Sequence, residues 1–225
     1  MSDKNKVIQC YRIEKEYSNG EDIVYALRGI DFEMYKGDFV SIVGESGSGK
    51  TTLLKIIGGL EQPTRGSISV NNIDLASLNI DDLAVYRRKN IGFIFQDFNL
   101  LSSLNVYDNI TLPIRLESDY VDKSYIEDLC QSLGIYEKLN QMPRNLSGGQ
   151  QQRVAIARAL ATHPAVILAD EPTGNLDSQN SEIVITLLKK MSKEFNQTMA
   201  IVTHSNEIAK KTDKTVCIKD GVIVS

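Results

Sequence analysis

The stretch that decides the fold is DFVSIVGESGSGKTTLLKIIGGL, at residues 38–60. It begins with a compact apolar run typical of a buried strand and ends with a helical pattern closed by Gly58 and Gly59. Between these lies Gly44-Glu45-Ser46-Gly47-Ser48-Gly49-Lys50-Thr51, which matches the pattern G-x-x-x-x-G-K-[ST] at every position. The stretch therefore predicts a strand, a glycine-rich loop and a helix.

A loop of this kind binds phosphates. Its glycines let backbone N–H groups converge on the β- and γ-phosphates, Lys50 adds a positive charge, and the Thr51 hydroxyl can ligate Mg²⁺. The alternative is a glycine-rich turn with a chance Lys-Thr pair, and the flanking strand and helix argue against it. We predict that a nucleotide contacts Gly44, Ser46, Gly47, Ser48, Gly49, Lys50, Thr51 and Thr52.

Composition and charge exclude several classes of protein. The 225 residues are 42% hydrophobic, which is enough for a substantial core. A net charge of -4 provides no basic surface for nucleic acid, and we interpret the cluster at 87–89 as a solvated helix end. The amino terminus has charges where a signal peptide would have its apolar region, so we expect none, and no apolar run approaches the roughly 20 residues that span a bilayer. Its three cysteines lack paired spacing and are expected to be reduced. We expect a soluble, intracellular protein.

The rest of the chain shows three kinds of pattern. Residues 7–34 mix β-branched and aromatic residues around a turn at 18–22, which predicts a small antiparallel sheet. Residues 81–158 are mostly polar and helical, with a short strand at 90–96, and indicate an inserted helical lobe. From residue 165, strands alternate with helices, which implies a parallel sheet with helices on both faces. Strands are expected at 165–170, 198–204 and 215–221, and helices at 181–195 and 206–212.

The expected fold class is therefore α/β. It consists of a P-loop NTPase core with a mainly parallel sheet, an N-terminal antiparallel β subdomain, and a helical subdomain inserted at about 97–160. We expect a single domain over residues 1–225.

Three polar residues follow predicted strands of the parallel sheet: Asp170, Glu171 and His204. Ligands of α/β proteins bind at the carboxyl ends of such strands, where Asp170 can hold Mg²⁺ directly or through water. Glu171 faces away from Asp170 unless the chain turns there, and Pro172 predicts such a turn. Glu171 can then act as a general base, the alternative being that it only caps the turn. A lone histidine is more often structural, but three polar strand ends near one phosphate loop favour a functional His204.

A second anion-binding turn lies in the sequence NLSGGQ, at 145–150. Ser147 and Gln150 fit a capping box, and Gly148 and Gly149 leave backbone N–H groups exposed at the start of a helix. Spacing alone does not explain why one chain has two phosphate sites.

Taken together, these motifs resemble the ATPase subunits of ABC transporters, over essentially the whole chain. Kinases, GTPases and helicases share the P-loop, but LSGGQ ahead of the Asp170 strand is specific to this family. The resemblance implies that Ser147, Gly148 and Gly149 close over the γ-phosphate held by a second copy of the chain. The implied assembly is a head-to-tail dimer that buries two ATP molecules, with Mg²⁺, and hydrolyses ATP to ADP and phosphate.

The resemblance also implies roles for single residues. Tyr17 stands where the family stacks an aromatic ring on adenine, the alternative being a tyrosine on a strand surface. Gln96 resembles the glutamine that contacts Mg²⁺ and links the core to the helical lobe. Asp177 resembles the acidic residue at the dimer seam, Glu171 the catalytic carboxylate and His204 the histidine that senses the γ-phosphate. The implied catalytic residues are thus Glu171, His204 and Lys50, and the implied metal ligands are Thr51, Gln96 and Asp170.

Two departures from the family pattern are minor. Glu45 occupies a position often filled by proline, and no appended regulatory domain is expected after Ser225. The stretches 44–66, 93–113 and 169–178 look like the group of lipoprotein-release, macrolide-efflux, antimicrobial-peptide-resistance and cell-division ATPases.

The resemblance leaves three functional hypotheses. The first is an ATPase subunit on the inner, cytoplasmic face of the membrane, which powers a separate permease docked at residues 96–107. The second is a mechanotransmission or signalling module that moves no solute. The third is a DNA-repair or chromosome ATPase, but such proteins usually insert coiled coils or zinc modules between the two motifs, and the segment from Lys50 to Ser147 is short. We expect no nucleic-acid partner.

Overall fold

The structure is a computed structural model that describes residues 5–20, 22–117 and 120–225, and these residues form two β-sheets and seven α-helices. Position 21 of the predicted turn and positions 118–119 of the predicted helical subdomain lie outside the described residues. The strands are β1 (Lys6–Asn19), β2 (Asp22–Tyr35), β3 (Phe39–Val43), β4 (Arg65–Val70), β5 (Ile73–Asp74), β6 (Ile91–Phe95), β7 (Val166–Asp170), β8 (Thr198–Val202), β9 (Lys214–Lys219) and β10 (Val222–Ile223). The helices are α1 (Lys50–Ile57), α2 (Ile80–Asn90), α3 (Val106–Arg115), α4 (Lys123–Ser132), α5 (Gly148–Leu160), α6 (Ser178–Glu194) and α7 (Asn206–Ala209).

The smaller sheet is antiparallel, with strand order β2-β1-β4-β5. The β1–β2 pair confirms the predicted N-terminal antiparallel sheet, whereas β4 and β5 were not predicted. Their signal is the alternation in RGSISV, which buries Ile68 and Val70. Asn71 and Asn72 follow, with φ of 52° and 63°. Asparagine tolerates this left-handed conformation, and two such residues form a tight hairpin turn.

The larger sheet has strand order β10-β9-β3-β8-β7-β6, in which the five strands from β9 to β6 are parallel. This confirms the predicted parallel core. Successive residues of β7 enter different apolar clusters, with Val166 and Leu168 on one side and Ile167 and Ala169 on the other. Because both faces of the sheet are covered, its strands read as continuous apolar runs.

Helices α3, α4 and α5 lie between β6 and β7 in the chain, and they share one apolar cluster with α6. The bounds of the inserted subdomain at 97–160, and the single domain over 1–225, stay predictions. Helix α7 is one turn long and ends earlier than predicted. The helix stops at Ala209 because the backbone N–H groups of Lys211 and Thr212 donate to the oxygens three residues before them, at 2.9 and 3.1 Å, as in a 3₁₀ turn. The chain then enters β9.

Gly92 in β6 lies where the sheet closely approaches helix α5. A Cβ atom there would be 2.3 Å from the Ala159 backbone oxygen. We expect Gly92→Ala to lower the free energy of unfolding by about 1–3 kcal/mol, the usual cost of overpacking. Denaturant unfolding measures this change. The control is Gly148→Ala, whose methyl group would make only an ordinary contact 3.4 Å from Leu176. Equal stability of Gly92→Ala and the wild type would contradict this close packing.

Candidate functional site

Four adjacent strands of the parallel sheet deliver their following residues to one edge. In spatial order these strands are β6, β7, β8 and β3. Gln96 follows β6, Asp170 ends β7 and is followed by Glu171, His204 lies two residues beyond β8, and the loop at 44–49 follows β3. The carboxyl edge of a parallel sheet is where α/β proteins bind ligands.

The loop after β3 needs glycine because other parts of the chain approach its backbone closely. A Cβ atom on Gly44 would be 2.1 Å from the Ile218 backbone oxygen, and one on Gly49 would be 2.5 Å from the Ala26 oxygen. Both residues also have positive φ, 154° and 106°. The loop thus presents backbone rather than side chains at its inner surface, as a phosphate cradle requires.

Lys50 and Ser48 supply polar groups to this cradle. The Lys50 ammonium is largely buried and donates to the backbone oxygens of Gly44 and Glu45, at 2.9 and 2.7 Å. The Ser48 hydroxyl is buried and has no hydrogen-bond partner among the described residues. Because buried polar atoms are normally satisfied, this hydroxyl is available to a ligand, and a phosphate oxygen would satisfy it. Ser46 and Gly47 are exposed in the loop, and Thr52 is half-buried in α1.

Thr51 and Asp170 lie side by side, since the Thr51 hydroxyl donates to Asp170 Oδ1 at 3.1 Å. Burial raises the pKa of Asp170, and the neighbouring Glu171 carboxylate raises it further, against the Thr51 hydrogen bond and the charges of Lys55 and Lys50. A carboxylate that is costly to ionise alone favours a bound cation.

The predicted magnesium ligands fit the way this ion is bound beside a nucleotide. Among the described residues, His, Cys, Asp and Glu do not gather into a group of three or more that could hold a metal. Magnesium beside a nucleotide needs fewer, because it usually takes one or two protein ligands and completes its shell with phosphate oxygens and water. Thr51 and Asp170 match this requirement. The Gln96 amide instead donates to Asn175 Oδ1, at 3.1 Å.

Glu171 sits in the turn that Pro172 predicts. It has a left-handed φ of 47°, and its backbone N–H donates to the Val202 oxygen at 3.0 Å, so the turn is tied to β8. His204 Nδ1 lies 2.9 Å from Glu171 Oε2. The Glu171 side chain is 22% exposed and that of His204 is 76% exposed. The two form a pair at the open edge of the sheet, beside the phosphate loop.

The second predicted anion site has the expected local geometry. Ser147 and Gln150 form a capping box, with hydrogen bonds of 3.3 Å from Gln150 N–H to Ser147 Oγ and 2.9 Å from Ser147 N–H to Gln150 Oε1. Gly149 packs on Asn180, whose side chain and backbone N–H both donate to Asp177, at 2.7 and 2.8 Å. The start of α5 is thus fixed against the start of α6, and its contacts within the chain lie away from residues 44–51.

Tyr17 lies on β1 with 38% of its surface exposed. Its hydroxyl donates a hydrogen bond to Glu61 Oε2. An exposed ring with an anchored hydroxyl is suited to stacking on a base.

Asn175 was not among the site residues predicted from the sequence, although it lies in the stretch 169–178. The side-chain amide of Asn175 donates to the Gln96 backbone oxygen at 3.2 Å and to Asp97 Oδ1 at 2.8 Å. The Asn175 side-chain oxygen accepts from the Gln96 side-chain amide. Asn175 therefore joins the loop after β6 to the loop after β7. The signal was a turn-forming amide two residues before Asp177.

A groove of about 330 Å³ runs beside the edge strand β6, and its lining residues include Phe93, Leu112, Pro113, Leu116 and Arg158. Arg158 donates to the backbone oxygens of Phe98, at 2.8 Å, and Asn99. Leu116 is 60% exposed. The groove is mostly apolar, and its lining includes Phe95, the residue before Gln96. Large exposed apolar patches mark protein interaction sites.

The geometry agrees with comparisons against known proteins. The sequence pattern of the ABC transporter family matches residues 27–174. The chain is 43% identical to the uncharacterized ABC transporter ATP-binding protein MJ0796 of Methanocaldococcus jannaschii, over 96% of this chain and 95% of that protein. It is 40% identical to the lipoprotein-releasing system ATP-binding protein LolD of Pseudoalteromonas translucida, over 96% and 94%. The macrolide export ATP-binding/permease protein MacB of Rhodopirellula baltica is 42% identical over 96% of this chain, which spans 32% of MacB.

Solved structures give the same result. A dimeric structure of a post-hydrolysis state of the ATP-binding cassette MJ0796, bound to ADP and Pi, superposes with a TM-score of 0.87. It is 40% identical in sequence, with 97% of each chain covered. In the described part of our chain, none of the helices has the length and apolar character of a membrane span.

Proposed function

Since this chain belongs to the ABC transporter family as an ATP-binding subunit, we propose that two copies bind and hydrolyse two ATP molecules between them and thereby drive a separate membrane permease. The chain is an ATPase of this family. The proposal concerns which residues act, how the copies meet and where the permease docks.

One observation supports the proposal: the predicted phosphate loop and the predicted second anion site are fixed on different parts of the chain. Residues 44–51 form a cradle with an unsatisfied buried Ser48 hydroxyl, and the capped turn at 147–149 is fixed on Asn180, away from that cradle. Two copies in head-to-tail contact would place the turn of each on the nucleotide of the other. A two-fold symmetric pair has two equivalent contacts of this kind, hence two ATP molecules.

Within each site the residues have distinct roles. Lys50 and the loop N–H groups bind the β- and γ-phosphates, and Tyr17 stacks on adenine. Thr51, Asp170 and Gln96 would hold Mg²⁺, which neutralises charge on the phosphate oxygens when it is bound. Gln96 has to leave Asn175 to take part.

Glu171 and His204 act together on the attacking water. Glu171 accepts the proton of that water as it attacks the γ-phosphorus, and ADP leaves with the bridging oxygen. His204, 2.9 Å from Glu171, fixes the orientation of the carboxylate and is placed to contact the γ-phosphate. The carboxylate is partly buried, so it is held in one direction rather than freely solvated.

Hydrolysis opens the dimer because it removes the contacts that favour the closed state. Ser147, Gly148 and Gly149 make charge-assisted hydrogen bonds to the partner's nucleotide only while the γ-phosphate is present. A ligand shifts an equilibrium only through its different affinity for the two states, and loss of the γ-phosphate removes that difference. Asp177 lines the seam beside the partner's site.

The permease would dock in the groove beside β6, with the chain peripheral on the inner face of the membrane. Apolar side chains of Phe93, Leu112 and Leu116 suit a helix of the permease. Asn175, two residues before Asp177, donates to Asp97 in the loop after β6. LolD, a similar protein, carries the name of an ATP-binding protein, whereas MacB is named as ATP-binding and permease protein together. We propose the arrangement that the name of LolD suggests, in which the permease is a separate chain.

Mixing two inactive variants tests the head-to-tail site. Lys50→Ala spoils the cradle and Ser147→Arg spoils the turn, so dimers of either variant have two defective sites. A mixed dimer has one intact site, formed by the cradle of one chain and the turn of the other. We expect an equimolar mixture to recover about a quarter of the wild-type ATPase rate, because half of the dimers are mixed and half of their sites are intact. Absence of recovery, with mixed dimers present, would contradict the shared site.

A further inference from the structure

Glu61, just beyond the end of helix α1, makes polar contacts with three side chains around the proposed adenine platform. It accepts a hydrogen bond from the Tyr17 hydroxyl on Oε2. Its Oε1 lies 3.2 Å from Lys55 Nζ, and its Oε2 lies 3.9 Å from Lys15 Nζ. Both carboxylate oxygens are therefore engaged, one with the ring of Tyr17 and one with helix α1.

The charge states of Glu61 and Tyr17 at neutral pH favour this hydrogen bond. Partial burial raises the pKa of Glu61, but hydrogen bonds from Tyr17 and Lys55 and the charges of Lys55 and Lys15 outweigh it and hold the pKa below its usual value. Burial raises the pKa of the Tyr17 phenol, and the hydrogen bond to Glu61 raises it further, against a hydrogen bond with Thr52. Glu61 is thus a charged acceptor and Tyr17 a neutral donor.

The segment that carries Glu61 is itself tied to strand β1. Lys15 Nζ donates to the Gln62 backbone oxygen at 2.8 Å, and the Glu16 N–H donates to Thr64 Oγ1 at 3.0 Å. These bonds leave the Glu61 backbone little freedom relative to Tyr17.

The contacts of Glu61 connect the base platform to the phosphate-binding helix. Lys55 belongs to the last turn of α1, and the first turn of that helix contains Lys50 and Thr51. Lys15 lies over one face of the Tyr17 ring, 5.1 Å from its centroid, so a base would stack on the other face. Polar contacts of the Glu61 carboxylate therefore join the Tyr17 ring to helix α1, which is proposed to bind the phosphates.

We propose that Glu61 is a positioning residue, which fixes the Tyr17 ring relative to helix α1 so that the base and the phosphates meet a preorganised surface. The inference rests on the proposed function, because it requires Tyr17 to contact the base. A ring ordered before binding does not have to lose its freedom when ATP arrives, so affinity for the base increases.

The test compares MgATP with magnesium and inorganic triphosphate, which lacks the base, by calorimetry on the full chain. We expect Glu61→Ala to raise the ratio of the Kd for ATP to the Kd for triphosphate by about three- to tenfold. Loss of a negative charge near an anionic ligand favours both ligands alike, so the ratio isolates the part due to the base. A general disturbance of the phosphate loop would also leave this ratio unchanged.

Two further variants sharpen the test. Tyr17→Phe keeps the ring but removes its hydroxyl, so it should raise the ratio as Glu61→Ala does, and the double variant should raise it no further. Tyr17→Phe also serves if Glu61→Ala does not fold. The matched control is Glu14→Ala, which removes another carboxylate of this region, one paired with the exposed Arg65 at 3.3 Å. It should leave the ratio unchanged.

The outcomes separate this inference from the proposed function. If Tyr17→Ala raises the ratio but Glu61→Ala and Tyr17→Phe do not, Tyr17 contacts the base and the positioning role of Glu61 is overturned. If Tyr17→Ala also leaves the ratio unchanged, the adenine platform itself is wrong. An equal effect of Glu14→Ala would likewise overturn the role of Glu61.

Discussion

Replacement of Glu171 by glutamine is expected to slow ATP hydrolysis by about 10²–10⁴-fold, the span usual for loss of a general base, while ATP still binds. Glutamine keeps the size of the side chain and an oxygen that can accept from His204, 2.9 Å away in the wild type. It cannot take a proton from water at neutral pH. Single-turnover hydrolysis measures the rate, and calorimetry measures the retained affinity for ATP.

The same variant should accumulate as a dimer in the presence of ATP. Because the proposed contacts of Ser147 with the partner's nucleotide depend on the γ-phosphate, blocked hydrolysis is expected to leave the closed state populated. Size-exclusion chromatography should show the dimer with ATP and the monomer with ADP. The matched control is Glu127→Gln, the same change at an exposed position of α4. Unaltered turnover in Glu171→Gln would remove Glu171 from this role, and a monomer at saturating ATP would argue against the shared site.

Lys50→Ala has the second large expected effect, and it acts on binding. The Lys50 ammonium donates to the backbone oxygens of Gly44 and Glu45, 2.9 and 2.7 Å away. A bound phosphate would accept hydrogen bonds from this ammonium in their place. Hydrogen bonds to a charged group contribute about 1.5–3 kcal/mol, so ATP affinity should fall by roughly 10- to 100-fold.

Ligand-dependent unfolding distinguishes this loss of binding from a loss of folding. At an ATP concentration about 100 times its wild-type Kd, the wild type gains about 2.7 kcal/mol of stability, and Lys50→Ala should gain far less. The unfolding curves without ATP show whether the variant is folded. Lys123→Ala, at an exposed position in α4, is the control for loss of a lysine. Equal ATP affinity in Lys50→Ala would count against the phosphate cradle.

The predictions from sequence that the structure confirms are those that depend on short-range patterns. The loop at 44–49 lies between a strand and a helix, and the capping box at 147–150 lies at a helix start, because both motifs need only neighbours along the chain. Alternation of strands and helices predicted the parallel sheet, since each such strand needs a crossover. The same patterns carry no information on strand order, so the adjacency of β6, β7, β8 and β3 came only from the structure.

Contacts between distant segments are what the sequence could not show. Tyr17 and Glu61 are 44 positions apart, and Gln96 and Asn175 are 79 positions apart. Neither contact follows from a spacing within one element. The hairpin of β4 and β5 was missed for another reason, because β5 has only two residues and the turn uses two asparagines instead of the more usual glycine. The roles assigned to the site residues stay predictions until the variants above are measured.

Helix α5 gives the chain a mechanical connection between its two working surfaces. Its first turn packs on α6 through Gly149 and Asn180. Near its other end, Arg158 donates to the backbone oxygens of Phe98 and Asn99 at the groove. The 13 residues of α5 make a rod roughly 20 Å long. In the proposed dimer the partner's nucleotide contacts the first turn of α5, so a displacement of that turn on loss of the γ-phosphate would reach the groove through this helix. The proposed coupling to the permease would then depend on an unbroken α5, and a kink between its two ends would be expected to weaken that coupling.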